Sequence, residues 1–206
     1  MNSALTYKII AKVYDLLDVF YFFRKSSSPR EAVYDLLSDK DLLILDICTG
    51  TASNAIGIAD KNRNAKVVGI DLSKEMLKMA KTKVSKKNLD NVKLYAMDAT
   101  KTKFKDETFD IVLISLVLHE ISCKLAEQML LEARRVLKRD GKIIVVEWEE
   151  PKNLIKKLMF FPIRKMEPKG FVEFLKLDLK EYFEHNGLFI EEIKHCDYSK
   201  VIKLRK

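Results

Sequence analysis

Three short apolar runs in the first half of the chain each carry an aspartate at or just past their end. That recurrence constrains the fold more than any other feature. The runs are Leu42-Leu43-Ile44-Leu45-Asp46-Ile47, Lys66-Val67-Val68-Gly69-Ile70-Asp71 and Val92–Ala96, with Asp98 two residues beyond the third. They are short, continuous and rich in branched residues, which is the signature of buried strands. Helical sequence separates them: Ser53–Lys61, then a segment from Ser73, with Ser73 placed to cap the N-terminus and Glu75 in the first turn. Strands that are apolar on both faces and alternate with helices predict a mostly parallel sheet covered on both sides.

The pattern continues with a fourth strand at Phe109–Ser115, a long helix over about Cys123–Leu137, and an Asp140-Gly141 turn into a fifth strand, Lys142–Trp148. After Pro151 it weakens. A helix around Lys176–His185 meets a stop signal at Asn186-Gly187. Leu188–His195 and Tyr198–Leu204 then alternate as an antiparallel pair. Upstream, Leu5–Phe23 has helical apolar spacing, and Ser26-Ser27-Ser28-Pro29 starts a second helix running to about Leu37. The expectation is an α/β fold: a seven-stranded, mostly parallel sheet, helices on both faces, and an antiparallel C-terminal strand pair. A length of 206 residues suits one domain. Residues 1–40 would form a helical cap, 41–148 the core, and 149–206 a lid segment and the closing strands.

Charge and cysteine content narrow the function classes. The net charge is +8, and residues 152–206 hold 13 Lys/Arg against 8 Asp/Glu. A solvated lysine-rich surface accounts for this, and so does attraction to an anionic partner. Cys48, Cys123 and Cys196 are odd in number and widely spaced, so neither a disulfide framework nor a zinc site is expected, and no metal is assigned. Reduced thiols fit a cytoplasmic protein. Lys8, Lys12, Asp15 and Asp18 interrupt the N-terminal apolar stretch, which excludes a secretory core or membrane span there.

The three aspartates are the chemical signal. In an open parallel sheet, ligands bind outside the carboxyl ends of the strands, at the switch in strand order. Asp46, Asp71 and Asp98 would therefore form a polar shelf along one edge. An acid closing the second strand is suited to ribose hydroxyls. A carboxylate after the third can accept from the exocyclic amine of adenine. Gly50 would let the turn after the first strand bring backbone N–H groups close to a ligand. Any one such acid could be a simple turn-former; three at this spacing are not well explained that way.

The ordered set Leu45-Asp46…Gly50, Gly69-Ile70-Asp71-Leu72-Ser73…Met76-Leu77, Asp98-Ala99, Phe109-Asp110…Ser115 and Leu137-Lys138…Gly141-Lys142 resembles the class I S-adenosylmethionine (SAM)-dependent methyltransferases over roughly residues 40–148. Tyr14-Asp15-Leu16-Leu17 and the Glu147…Pro151 exit look like the ubiquinone/menaquinone-biosynthesis C-methyltransferases and their small-molecule relatives. The resemblance implies a Rossmann-like methyltransferase fold with SAM as cofactor and S-adenosylhomocysteine as product. It implies a cofactor site of Asp46, Cys48, Thr49, Gly50, Asp71, Leu72, Met76, Asp98, Ala99, Ser115 and Leu116. The family loop reads Asp-x-Gly-x-Gly-x-Gly. Here the three glycine positions are Cys48, Gly50 and Ala52, so only the middle one is kept. A side chain there is tolerable at negative φ and strained at positive φ. Cys48 reads as a small replacement for glycine rather than a nucleophile. The same loop does not fit GxGxxG, which argues against a nicotinamide enzyme.

Methyl transfer from a sulfonium is an in-line displacement, so alignment and exclusion of water matter most. His119 is the candidate base where the acceptor must lose a proton, or else an orienting group. Tyr14, Glu147 and Trp148 are candidate acceptor contacts, and Trp148 could stack on a planar ring. The expected partner is a small, planar or apolar acceptor. The segment Leu154–Met166 sets Leu158, Met159, Phe160 and Phe161 among Lys156, Lys157, Arg164 and Lys165, which suits either a packed lid or transient contact with an anionic membrane. Nucleic-acid methylation is the alternative suggested by charge, as is a non-catalytic SAM-binding role by the altered loop. Against the former, Ser115-Leu116-Val117-Leu118 lacks the Asn/Asp-Pro-Pro-aromatic signature of base-amino methyltransferases.

Overall fold

In a computed structural model of the chain, residues 28–37, 41–167 and 170–206 are described. The expected helix at Leu5–Phe23 and the candidate contact Tyr14 lie outside these residues. The strands are β1 (Leu43–Ile47), β2 (Lys66–Asp71), β3 (Val92–Ala96), β4 (Phe109–Ser115), β5 (Leu137–Trp148), β6 (Phe189–His195) and β7 (Ser199–Arg205). The helices are α1 (Pro29–Leu36), α2 (Ser53–Lys61), α3 (Lys74–Lys86), α4 (Cys123–Val136), α5 (Leu154–Met166), α6 (Gly170–Phe174) and α7 (Leu179–His185). They build one seven-stranded sheet in the order β3-β2-β1-β4-β5-β7-β6. The pairings among β1 to β5 are parallel, and β7 runs antiparallel to both β5 and β6. The order reverses between β1 and β4, so the switch point lies at their carboxyl ends.

Period-two alternation explains why these strands are buried on both faces. Ile44 of β1, Ile111 and Leu113 of β4, and Ile144 and Val146 of β5 pack with α1, α2 and α3. Their neighbours Leu45, Ile47, Val112, Ile114, Ile143 and Val145 pack on the opposite face with α4 and with Phe183 of α7. Each fully buried Leu or Ile contributes about 1.5–3 kcal/mol, and this double layer holds the switch point rigid.

Local chemistry sets the element ends. Ser73 caps α3 by accepting from Met76 N–H at 3.2 Å. Ser122 caps α4, Asn153 caps α5 and Asp178 caps α7. The last of these makes α7 shorter than its predicted span from Lys176. The Asn186-Gly187 stop is present, with Gly187 at φ +68°. The fifth strand differs more. Instead of a turn at Asp140-Gly141, β5 starts at Leu137, which pairs with Phe109 across a register shift. Gly141 allows this, because a Cβ there would lie 2.8 Å from the Asp110 carbonyl oxygen. Helix α6 has no counterpart in the sequence reading.

Candidate active site

A cavity of about 670 Å³ opens at the carboxyl ends of β1, β2, β3 and β4, within the range of about 300–1,000 Å³ for small-molecule sites. All eleven residues expected at the cofactor line it: Asp46, Cys48, Thr49, Gly50, Asp71, Leu72, Met76, Asp98, Ala99, Ser115 and Leu116. Trp148 lines it too.

The loop after β1 keeps the glycine-loop backbone with only one of its three glycines. Cys48, Gly50 and Ala52 all have positive φ, at 55°, 54° and 62°. The left-handed region costs a non-glycine residue about 1–2 kcal/mol. Two such residues in one turn, with Leu116 at φ 55° across the cavity, concentrate backbone strain at the site. A Cβ on Gly50 would meet no atom within 4 Å; the constraint at this position is its backbone angle. Hydrogen bonds hold the turn. Asp71 Oδ2 accepts from Gly50 N–H at 2.8 Å, and its Oδ1 accepts from Ser73 N–H at 2.8 Å. Thr49 donates its hydroxyl to Asp46. Burial pushes the Asp46 carboxyl up to about 7, against the lowering effect of the Thr49 bond. Burial, with Asp71 and Asp46 adding to it, pushes the Cys48 thiol up to about 12. A thiol held that high is protonated and not nucleophilic at neutral pH, in keeping with a glycine replacement.

These residues fit an adenosyl cofactor. Asp98 takes both the Thr100 N–H and hydroxyl on Oδ1, at 2.8 and 2.7 Å, which holds its carboxyl below the usual range and leaves Oδ2 for an amine. Each Asp71 oxygen keeps a second lone pair for a ribose hydroxyl. Leu72 is 73% exposed, an apolar side chain at the cavity lip that a flat base would cover. Arg30 is the one Lys, Arg or His among the described lining residues. It suits the carboxylate of a methionine moiety.

The other candidates lie elsewhere. His119 and Glu147 do not line the cavity; both are buried behind its wall, at 3% and 0% exposure. Glu147 Oε1 accepts from the N–H groups of Val117 and Leu118 at 3.2 and 2.8 Å. Its Oε2 sits 2.5 Å from His119 Nδ1. On the far side of the ring, Nε2 lies 3.4 Å from Glu167 Oε2, a charge contact without the alignment of a hydrogen bond. Burial opposes charge on the ring, yet the bond to Glu147 and the Glu167 carboxylate outweigh it and raise the pKa to about 10. An imidazolium has no lone pair to accept a proton, so of the two roles expected of His119, base or orienting group, this arrangement suits the orienting one. Its ring also packs edge-on to Phe171 of α6, with centroids 5.3 Å apart.

Glu167, at the end of α5, accepts from the Trp148 indole N–H at 3.2 Å as well. Trp148 packs with Phe160, Ile163, Phe171 and Tyr198, and against Leu116. A buried Glu147–His119–Glu167 chain thus ties the β4–α4 loop and β5 to the cap of α5, directly behind the Trp148 wall. Sequence reasoning missed Glu167, Arg30 and Glu120, the last of which lines the cavity just after His119. They come from three separate segments without a shared motif. The Pro29-Arg30 helix start before the first strand was the only local hint.

Comparison with known proteins agrees with this geometry. The methyltransferase-domain family matches residues 44–141. The chain is 31% identical over 185 residues to the demethylmenaquinone methyltransferase of Alkalihalophilus pseudofirmus, covering 88% of this chain and 76% of that one. It is 33% identical over 182 residues to the enzyme of the same name from a Geobacillus species, covering 87% and 75%. A SAM-dependent methyltransferase from Aquifex aeolicus superposes with a TM-score of 0.75 at 19% identity, covering 96% of this chain and 97% of the other. Magnesium protoporphyrin IX methyltransferase from Synechocystis, solved with bound S-adenosylhomocysteine, superposes at 0.67 with 20% identity, covering 86% and 82%. The chain belongs to the class I SAM-dependent methyltransferases of small-molecule type, and its cofactor is S-adenosylmethionine.

Proposed function

We propose that this enzyme methylates a ring carbon of a reduced, quinol-type acceptor held against Trp148. The observation that carries the reading is the position of this lone tryptophan. It ends β5, lines the same cavity as Ser115 and Leu116, and is braced from behind by Phe160 and Phe171. A planar acceptor placed on that wall would face the cofactor end of the cavity, the alignment that an in-line displacement needs. The named activity of the curated relatives, on demethylmenaquinone, supports the same acceptor class.

When bound, the cofactor supplies an electrophilic methyl group on a sulfonium. The chain supplies the rest. Asp71 and Asp98 would hold the ribose and adenine, Arg30 would meet the carboxylate, and the Cys48–Ala52 turn would bring backbone N–H groups close. The acceptor carbon gains methyl and loses its hydrogen as a proton. Glu120 is the carboxylate that lines the cavity beside the β4 end, and it takes that proton, leaving His119 the orienting role.

The test is turnover of a water-soluble 1,4-naphthoquinol with an unsubstituted ring position, read by mass spectrometry. A ring-methylated product is expected. Trp148→Ala should raise the acceptor KM about tenfold or more while changing the cofactor Kd less than twofold. Cofactor binding without methylation of any quinol would overturn the acceptor assignment.

A further inference from the structure

Helix α5 has two apolar faces, and the cavity explains only one. The inner face puts Phe160 and Ile163, both essentially fully buried, against Trp148 and Phe171. The outer face carries Leu154, Ile155, Leu158 and Phe161, which are 82, 72, 76 and 53% exposed. Positions i, i+1, i+4 and i+7 form one stripe along a helix. Scattered exposed apolar residues are ordinary, but four on a single short helix mark an interaction surface.

Charge identifies the partner. The segment Leu154–Met166 contains Lys156, Lys157, Arg164 and Lys165 and no acidic residue. Lys156 pairs with Asp197 and Arg164 with Glu150. Lys157 and Lys165 make no ion pair among the described residues, and Lys165 lies over the Phe161 ring at 5.0 Å. An apolar stripe flanked by cations is the form of a helix that lies in the plane of an anionic membrane. Thirteen residues span about 20 Å, too short to cross a hydrocarbon core of about 30 Å. No helix among the described residues is long and apolar enough to cross.

We propose that the outer face of α5 docks this enzyme on anionic lipid, with the aromatic wall of the acceptor cavity directly beneath the docked helix. An acceptor dissolved in the bilayer would then enter beside α5 without crossing water. The route of entry rests on the quinol reading above; the docking itself does not.

Co-sedimentation of the full chain with phosphatidylglycerol/phosphatidylcholine vesicles, and with phosphatidylcholine alone, tests the docking without any turnover. Binding that requires the anionic lipid and weakens with salt is expected. Leu154→Ser with Leu158→Ser should lower the partition constant about tenfold or more. Lys157→Gln and Lys165→Gln should lower it about fivefold each. All should leave thermal unfolding and turnover of the water-soluble quinol as in the parent. Absent vesicle binding, or binding equal in parent and variants, overturns the proposal. So does a Leu158→Glu variant that changes only the solution mass, which would assign the stripe to a second copy of the chain. Vesicle binding without methylation of any quinol would instead sustain the docking and overturn the acceptor assignment.

Discussion

Replacing His119 with Gln probes the buried chain that braces the acceptor wall. In the folded protein the ring is charged between Glu147 and Glu167, with a pKa raised to about 10. In the unfolded chain it titrates near 6.5. A raised pKa stabilises the fold fully below the unfolded value and loses that contribution as pH climbs through the folded one. The side chain is 1% exposed, so solvent screening removes little. At about 1.4 kcal/mol per pH unit, the full contribution is on the order of 4–5 kcal/mol, and about 2–3 kcal/mol of it is lost between pH 7 and 9. Urea unfolding of parent and His119→Gln at both pH values isolates this from all shared titrations. The parent should lose about 2–3 kcal/mol more than the variant over that interval. At pH 7 the variant should be about 3–5 kcal/mol less stable, because Glu147 is left as an uncompensated buried charge. Glu167→Gln, which still accepts from Trp148, gives a milder second probe and should flatten part of the slope. Equal pH slopes in parent and both variants would refute an ion-paired His119.

Five substitutions probe the cofactor side of the cavity. Cys48→Val places a branched side chain at positive φ; it should destabilise by about 1–3 kcal/mol and raise the cofactor Kd about tenfold, read by calorimetry. Ala52→Gly should change stability by less than about 1 kcal/mol, since relieved strain offsets added unfolded-state freedom and a lost methyl contact. Asp46, pushed up to about 7 by burial, makes the parent lose about 2–3 kcal/mol between pH 5 and 8 as its carboxyl ionises; Asp46→Asn should remove that loss in urea melts. Asp98→Ala should weaken cofactor binding about tenfold and cost about 1–2 kcal/mol of stability through its lost bonds to Thr100, whereas Asp71→Ala should weaken binding further and loosen the turn, because Asp71 also anchors Gly50.

The sheet edge was legible because its information is local. Each acid sits at or just past the end of a continuous apolar run that reads as a buried strand, and parallel topology brings the strand ends together. The glycine loop was legible as a departure from pattern. Its positive φ values at Cys48 and Ala52 were not, since backbone angle is fixed by the surrounding turn and its hydrogen bonds. The buried chain lay beyond sequence reading for another reason. His119, Glu147 and Glu167 are 28 and 20 positions apart in sequence and meet only after β5 and α5 are placed. An isolated histidine beside a strand end reads equally as a base or an anchor until burial and partners are known. The early start of β5 depended on Gly141 allowing close backbone approach to Asp110, a tertiary contact that outweighs the local Asp-Gly turn signal.

Calorimetric titration of the full chain with S-adenosylmethionine probes the cofactor site itself. One-site binding with a micromolar Kd is expected, weakened at least a hundredfold by Asp71→Ala. No heat of binding at millimolar cofactor, or equal affinity in parent and variant, would contradict a cofactor site built on this sheet edge.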